Sequence, residues 1–215
     1  MKLKEKINEY LLEIGYSNED LTYMDKSSVY LAEKIAIYAH RNQTRLNGKP
    51  YISHPYSVLD KYRDFVGITP DDYFCIDDEL LDDCGIPYYG VQEVCLLHDV
   101  VEDSDITLDD IAEIFSDCGF ECRFDCNIRK PLSRITHDKN DDYFVYVEKM
   151  INDPVASIVK FMDLADNMNP TSLSCLGKKE FERLQKYTCC ALMINDTWHF
   201  LENIQKYYLE REGND

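Results

Sequence analysis

Residues 91–103 read VQEVCLLHDVVED. The run is apolar almost throughout, which predicts a buried helix. Its LLHDVVED half (96–103) sets His98, Asp99, Glu102 and Asp103 among apolar residues. Glu102 lies four residues after His98, and Asp103 four after Asp99, so the pairs occupy adjacent faces of one helix. Burying three carboxylates and an imidazole together is costly unless they bind a cation. A solvated acidic face would account for Glu102 and Asp103. It would not account for His98 and Asp99 directly after Leu96-Leu97. Successive helical residues point about 100° apart. A His-Asp step can therefore grip one ion only beside a helix end or around a cavity. Imidazole with carboxylate suits manganese, iron or zinc.

Two further stretches carry similar chemistry. In SIVKFMDLADNMNP (157–170), Asp163, Asp166 and Asn167 interrupt an apolar helix. Asp163 follows Val159, Phe161 and Met162, which directs it inward, and Asn167 shares its face. In QTRLNGKPYISHP (43–55), a loop stopped by Gly48 and Pro50 offers His54 and Arg45. A guanidinium suits bidentate phosphate binding and stacking on a base.

The rest of the chain repeats the helical period. Helices are expected over 2–14 and 27–42, the second capped by Ser27 or Ser28. Another resumes at Pro55, a residue suited to a first helical position. Residues 67–90, acidic and punctuated by Gly and Pro, read as an irregular connection. Thr107 with Asp110 reads as a capping box for DDIAEIF. Helix is expected around 127–136, over NDDYFVYVEKMIN, and from the Asp153-Pro154 cap to Pro170. One or two helices are expected over 178–210. No alternating run is long enough for a strand. The expected fold is all-α, a helical bundle forming one domain over 1–215, with its core in 27–170 and C-terminal helices over 178–210.

Bulk properties narrow the function. The chain has 215 residues, with 45 % hydrophobic and 30 % charged, the profile of an ordinary globular protein. No apolar run approaches the roughly 18 residues needed to span a bilayer, and the start lacks a signal-peptide pattern. The 9 cysteines, an odd number, read as free thiols of a reducing cytoplasm. Cys118, Cys122 and Cys126 are spaced by four, but Gly119 interrupts the helix and no fourth ligand accompanies them. The net charge of −18 argues against a nucleic-acid polymer as partner. It would also repel a small polyphosphate unless a bound cation reversed the local field. Of the 5 histidines, His40 and His199 read as packing residues and His137 as a loop or cap residue, with a pocket-facing position as its alternative. Tyr143 and Tyr146 read as packing residues with a polar tip.

Taken in order, AHRNQTRLNGKPYISHP (39–55), CLLHDVVEDSDITLDDI (95–111) and ITHDKNDDYFVYVEKMINDPVASIVKFMDLADNM (135–168) resemble the hydrolase domain of the RelA/SpoT family, and especially its small single-domain alarmone hydrolases. The resemblance covers more than half of the chain. It implies an HD-domain helical bundle whose divalent metal, usually manganese, is held by His54, His98, Asp99 and Asp163. It implies that Glu102 and Asp103 orient the attacking water, that Arg45 meets the nucleotide, and that Asn167 contacts its sugar or phosphate. The implied reaction removes the 3′-pyrophosphate from ppGpp or pppGpp, giving GDP or GTP. Two pocket positions depart from the family pattern. Leu46 stands where lysine is frequent, and Leu164-Ala165-Asp166-Asn167-Met168 stands where Arg-Leu-His-Asn-Met is usual. These departures keep a second reading open: an HD-type phosphatase acting on another nucleotide, such as a nucleoside monophosphate or NADPH. A non-catalytic helical binding protein is the third. The intact set of acidic and imidazole residues argues against it. The oligomeric state is not legible.

Overall fold

The computed structural model describes residues 2–66, 89–169 and 177–202. Most of the expected 67–90 connection, Pro170, and the expected helix beyond 202 lie outside the described residues. Within them the chain is all-α, as its periodicity predicts. No strand forms among the described residues, where Thr44 and Pro50 make an isolated antiparallel bridge.

Helix α1 (Leu3–Glu13) is followed by α2 (Asn18–Met24), α3 (Ser28–Ala39) and α4 (Ser53–Val66). The sequence reading passed over α2, although Ser17 and Asp20 form a reciprocal capping box at its start. Helix α4 begins two residues before Pro55, so the proline sits within the first turn rather than at its opening position. Its missing N–H falls where no intrahelical acceptor exists, which is why the helix tolerates it.

The expected continuous helix over 91–103 is in fact two. Helix α5 (Val91–Leu97) ends at His98, and a short α6 (Val100–Asp103) follows. Every residue of α5 is buried, and the helix packs against α3, α4 and α11 (Pro154–Asn167). Its polar side chains are satisfied: Arg63 donates to Gln92, while Ser28 Oγ and Arg123 Nε donate to Glu93 at 2.6 and 2.7 Å. Gly90, with φ of 76°, opens α5 against the backbone of Asn127, whose carbonyl would lie 2.6 Å from any added Cβ. Only glycine lets these segments approach so closely.

Helix α7 (Leu108–Asp117) starts at the predicted Thr107–Asp110 capping box. Helix α8 (Glu121–Arg123) passes through a π-helical turn (Phe124–Ile128) into α9 (Arg129–Ile135). The Cys118, Cys122 and Cys126 side chains form no metal-ligating cluster among the described residues; Cys122 and Cys126 approach to 3.9 Å on the surface. Helix α10 (Tyr143–Met150) is capped by Asp142, and α11 by Asp153 with Pro154 at its first position. Helix α12 (Lys178–Trp198) packs on α10 and α11. No helix among the described residues is long and apolar enough to cross a membrane.

Candidate functional site

The break between α5 and α6 answers the geometric problem of a His-Asp step. Asp99 adopts φ −96° and ψ −8°, the sparsely populated bridge region where many active-site residues sit. The turn brings both side chains to one point, with His98 Nε2 3.1 Å from Asp99 Oδ2. His54, in the first turn of α4, meets them there, its Nε2 3.3 Å from His98 Nε2 and 3.5 Å from Asp99 Oδ2. Asp163 arrives from α11, its Oδ1 3.0 Å from His54 Nε2 and 3.8 Å from His98 Nε2. His54, His98 and Asp163 are all buried and form the one potential metal-ligating group among the described residues. Asp99 adjoins it.

The other ring nitrogen of each histidine is engaged. His98 Nδ1 donates to the Cys95 carbonyl at 2.8 Å, and His54 Nδ1 donates to Asp166 Oδ2 at 2.8 Å. Both Nε2 atoms therefore face the common point. Two imidazoles with fixed tautomers and two carboxylates are a donor set that fits a divalent metal.

The electrostatics agree. Burial opposes charge on Asp163 and Asp99, yet neighbouring cations hold both carboxyls well below the usual range: Lys160 and the histidines for Asp163, and His98 and His54 for Asp99. Lys160 is buried against Asp163, its Nζ 2.9 Å from Oδ2. Burial works against its charge, but Asp163 outweighs burial and keeps it protonated.

Asp99 and Asp163 of this cluster line a polar cavity of about 390 Å³. Glu102 and Asp103 line one side, and burial is the largest influence on Glu102, raising its pKa. The His137 backbone N–H donates to Glu102 at 3.2 Å. Tyr51 donates its hydroxyl to Asp99 at 2.7 Å and lies 3.4 Å from Asp103. Arg45 lines the cavity and is paired with Asp166 at 2.7 Å. Asn167 lines it too, with its amide donating to Asp163 Oδ1 at 2.5 Å. Leu46 stands at the rim, 61 % exposed, while Leu164 is fully buried in the core. The position where the family pattern has arginine thus points away from the cavity.

The sequence reading gave no site role to Asp166, Lys160, Arg183 or Tyr187. The last two reach the cavity from α12, where their spacing of four marks one helix face but not what it faces. Arg183 Nε is buried without a hydrogen-bond partner. His137 and Tyr143, read as loop and packing residues, also line the cavity.

Among the described residues, a helical bundle thus sets a His-Asp step at a helix break against a second histidine and an aspartate from a distant helix. No family model matches the chain. It is similar to the guanosine-3′,5′-bis(diphosphate) 3′-pyrophosphohydrolase MESH1 of Mus musculus, 26 % identical over 193 residues, which span 85 % of this chain and 93 % of the mouse protein. It is 28 % identical to the Homo sapiens protein over the same coverage. A solved metazoan orthologue of SpoT, one that hydrolyses ppGpp and plays a role in starvation responses, shares the fold with a TM-score of 0.58 at 19 % identity, over 86 % of this chain and 96 % of that one.

Proposed function

We propose that this protein is a metal-dependent pyrophosphohydrolase that removes the 3′-pyrophosphate from ppGpp or pppGpp, in the cytoplasm. The observation that carries the reading is a cluster of two histidines and two aspartates whose carboxylates line a polar pocket together with Glu102, Asp103, Arg45, Lys160 and Arg183. The similarity to MESH1 supports the choice of nucleotide.

His54, His98, Asp99 and Asp163 would hold the ion, which we take to be manganese. A divalent ion there lowers the pKa of water and offsets phosphate charge. Glu102 takes the proton of the attacking water, and Asp103 helps to orient it. A carboxyl raised by burial is a better base near neutral pH than an ordinary glutamate. Water adds to the phosphorus of the 3′-diphosphate. The bond to the ribose 3′ oxygen breaks, that oxygen takes a proton, and GDP or GTP leaves with pyrophosphate. Arg45, Lys160 and Arg183 face the phosphates. Tyr143 and Tyr187 offer ring surface to the nucleobase.

Leu46 favours a second reading, phosphate release from another nucleotide, because an exposed leucine at the rim replaces a cation. Incubating the manganese-loaded protein with a nucleotide panel separates the two. Pyrophosphate from ppGpp supports the first. Orthophosphate from a nucleoside monophosphate or NADPH, with ppGpp untouched, supports the second. No turnover with any divalent ion would overturn both.

A further inference from the structure

Asp166 is a buried carboxylate three residues beyond Asp163, its side chain 5 % exposed. It gathers donors from two directions. Oδ2 accepts from His54 Nδ1 at 2.8 Å and Arg45 Nη1 at 2.7 Å. Oδ1 accepts from Ser57 Oγ at 2.5 Å and Lys61 Nζ at 3.2 Å. Ser57 and Lys61 lie further along α4 on the helix that carries His54, so Asp166 clamps α11 to α4 beside the metal-ligating cluster. One oxygen is shared by a histidine of that cluster and an arginine of the pocket. The RelA/SpoT pattern has histidine here, so the carboxylate is a departure of this chain.

We propose that Asp166 is a positioning residue that sets metal affinity and substrate affinity together. A carboxylate only accepts hydrogen bonds. It therefore fixes the His54 proton on Nδ1, leaves Nε2 free for an ion, and increases the basicity of Nε2. The same oxygen holds Arg45 against the pocket wall with its remaining N–H groups available to a phosphate. The Arg45 half rests on the pocket being a nucleotide phosphate site, as proposed above. The His54 half does not. A carboxylate that merely anchors α11 to α4 would affect stability and leave both affinities alone.

Asp166→Asn keeps the shape and removes the charge. Manganese binding measured by calorimetry, with no substrate present, is expected to weaken about 10- to 100-fold. The KM for ppGpp is expected to rise at saturating manganese. Arg45→Met is expected to raise the same KM and leave manganese affinity unchanged. In the wild-type protein loaded with diamagnetic zinc, nitrogen NMR of the imidazoles is expected to show His54 protonated at Nδ1. A folded Asp166→Asn with wild-type manganese affinity would overturn the His54 half, as would a His54 Nδ1 without its proton. A His54 Nδ1 without its proton would overturn that half even if the variant does not fold. An unchanged KM in Asp166→Asn would overturn the Arg45 half. If wild type turns over no ppGpp while Asp166→Asn still loses manganese, the proposed substrate fails and the His54 half stands.

Discussion

His54 and His98 each commit one ring nitrogen to a fixed acceptor, and from this the chemistry of the centre follows. Without an ion, burial pulls the His54 pKa down, but its bonds to Asp163 and Asp166 outweigh burial and raise it to about 9 from 6.5. An ion bound at Nε2 must displace that proton. Apparent metal affinity should therefore increase with pH up to about 9 and then level. Calorimetry in two buffers of different ionisation enthalpy should show proton release at neutral pH, and its absence would contradict the raised pKa. The linkage for the metal-free fold runs the other way. A histidine raised on folding contributes stability that is full below 6.5 and lost as pH climbs through about 9. Glu102→Gln removes the proposed base without touching the ion's ligands. Its kcat should fall about 10²- to 10⁴-fold with metal content unchanged; loss of the metal as well would mean that Glu102 is structural. The candidate ligands His98, Asp99 and Asp163 stand out as polar intrusions in apolar stretches, whereas His54 sits in a polar loop and rests on the resemblance. Lys160 and Asp166 were not assigned. Asp166 takes its meaning from partners on distant segments, such as Arg45 and His54, which no local spacing reveals, while Lys160 pairs with Asp163 three residues on and shows its place only in the cavity wall.

At the scale of elements, the apolar run over 91–103 announced a buried helix but concealed its break, since leucine and valine flank the break on both sides. The π-helical turn left no signature either. Helix α2, short and polar, announces itself only in its Ser17–Asp20 box. Two substitutions separate what caps and cores contribute. Thr107→Ala removes the hydroxyl that accepts from the Asp110 N–H at 3.2 Å and should cost about 1 kcal/mol in urea denaturation. Leu97→Ala opens a cavity at a fully buried position next to His98 and should cost about 2–5 kcal/mol. It should also weaken metal binding, because His98 takes its direction from that turn, whereas Thr107→Ala should not. Equal metal affinity in both variants would show that the cluster does not depend on packing beneath the break.

For the whole molecule, the net charge of −18 would keep a polyphosphate away, and under the proposed function a bound ion with Arg45, Lys160 and Arg183 would answer that repulsion. The ion should also stabilise the fold, by about 2.7 kcal/mol at a hundredfold excess over its Kd. Chelation should lower the melting temperature accordingly, and His98→Ala should abolish the difference. A melting temperature indifferent to chelator would argue that no ion is bound.

The helices that supply the cluster come from separated parts of the chain: α4, the α5–α6 junction and α11. No short segment holds the whole set. Metal capture at this cluster would thus be a clock for assembly, since a chain still being synthesised would bind weakly until α11 had emerged and docked. In refolding experiments with cobalt, the visible absorption of the coordinated ion should appear with the final, slowest phase and lag behind helix formation seen by circular dichroism.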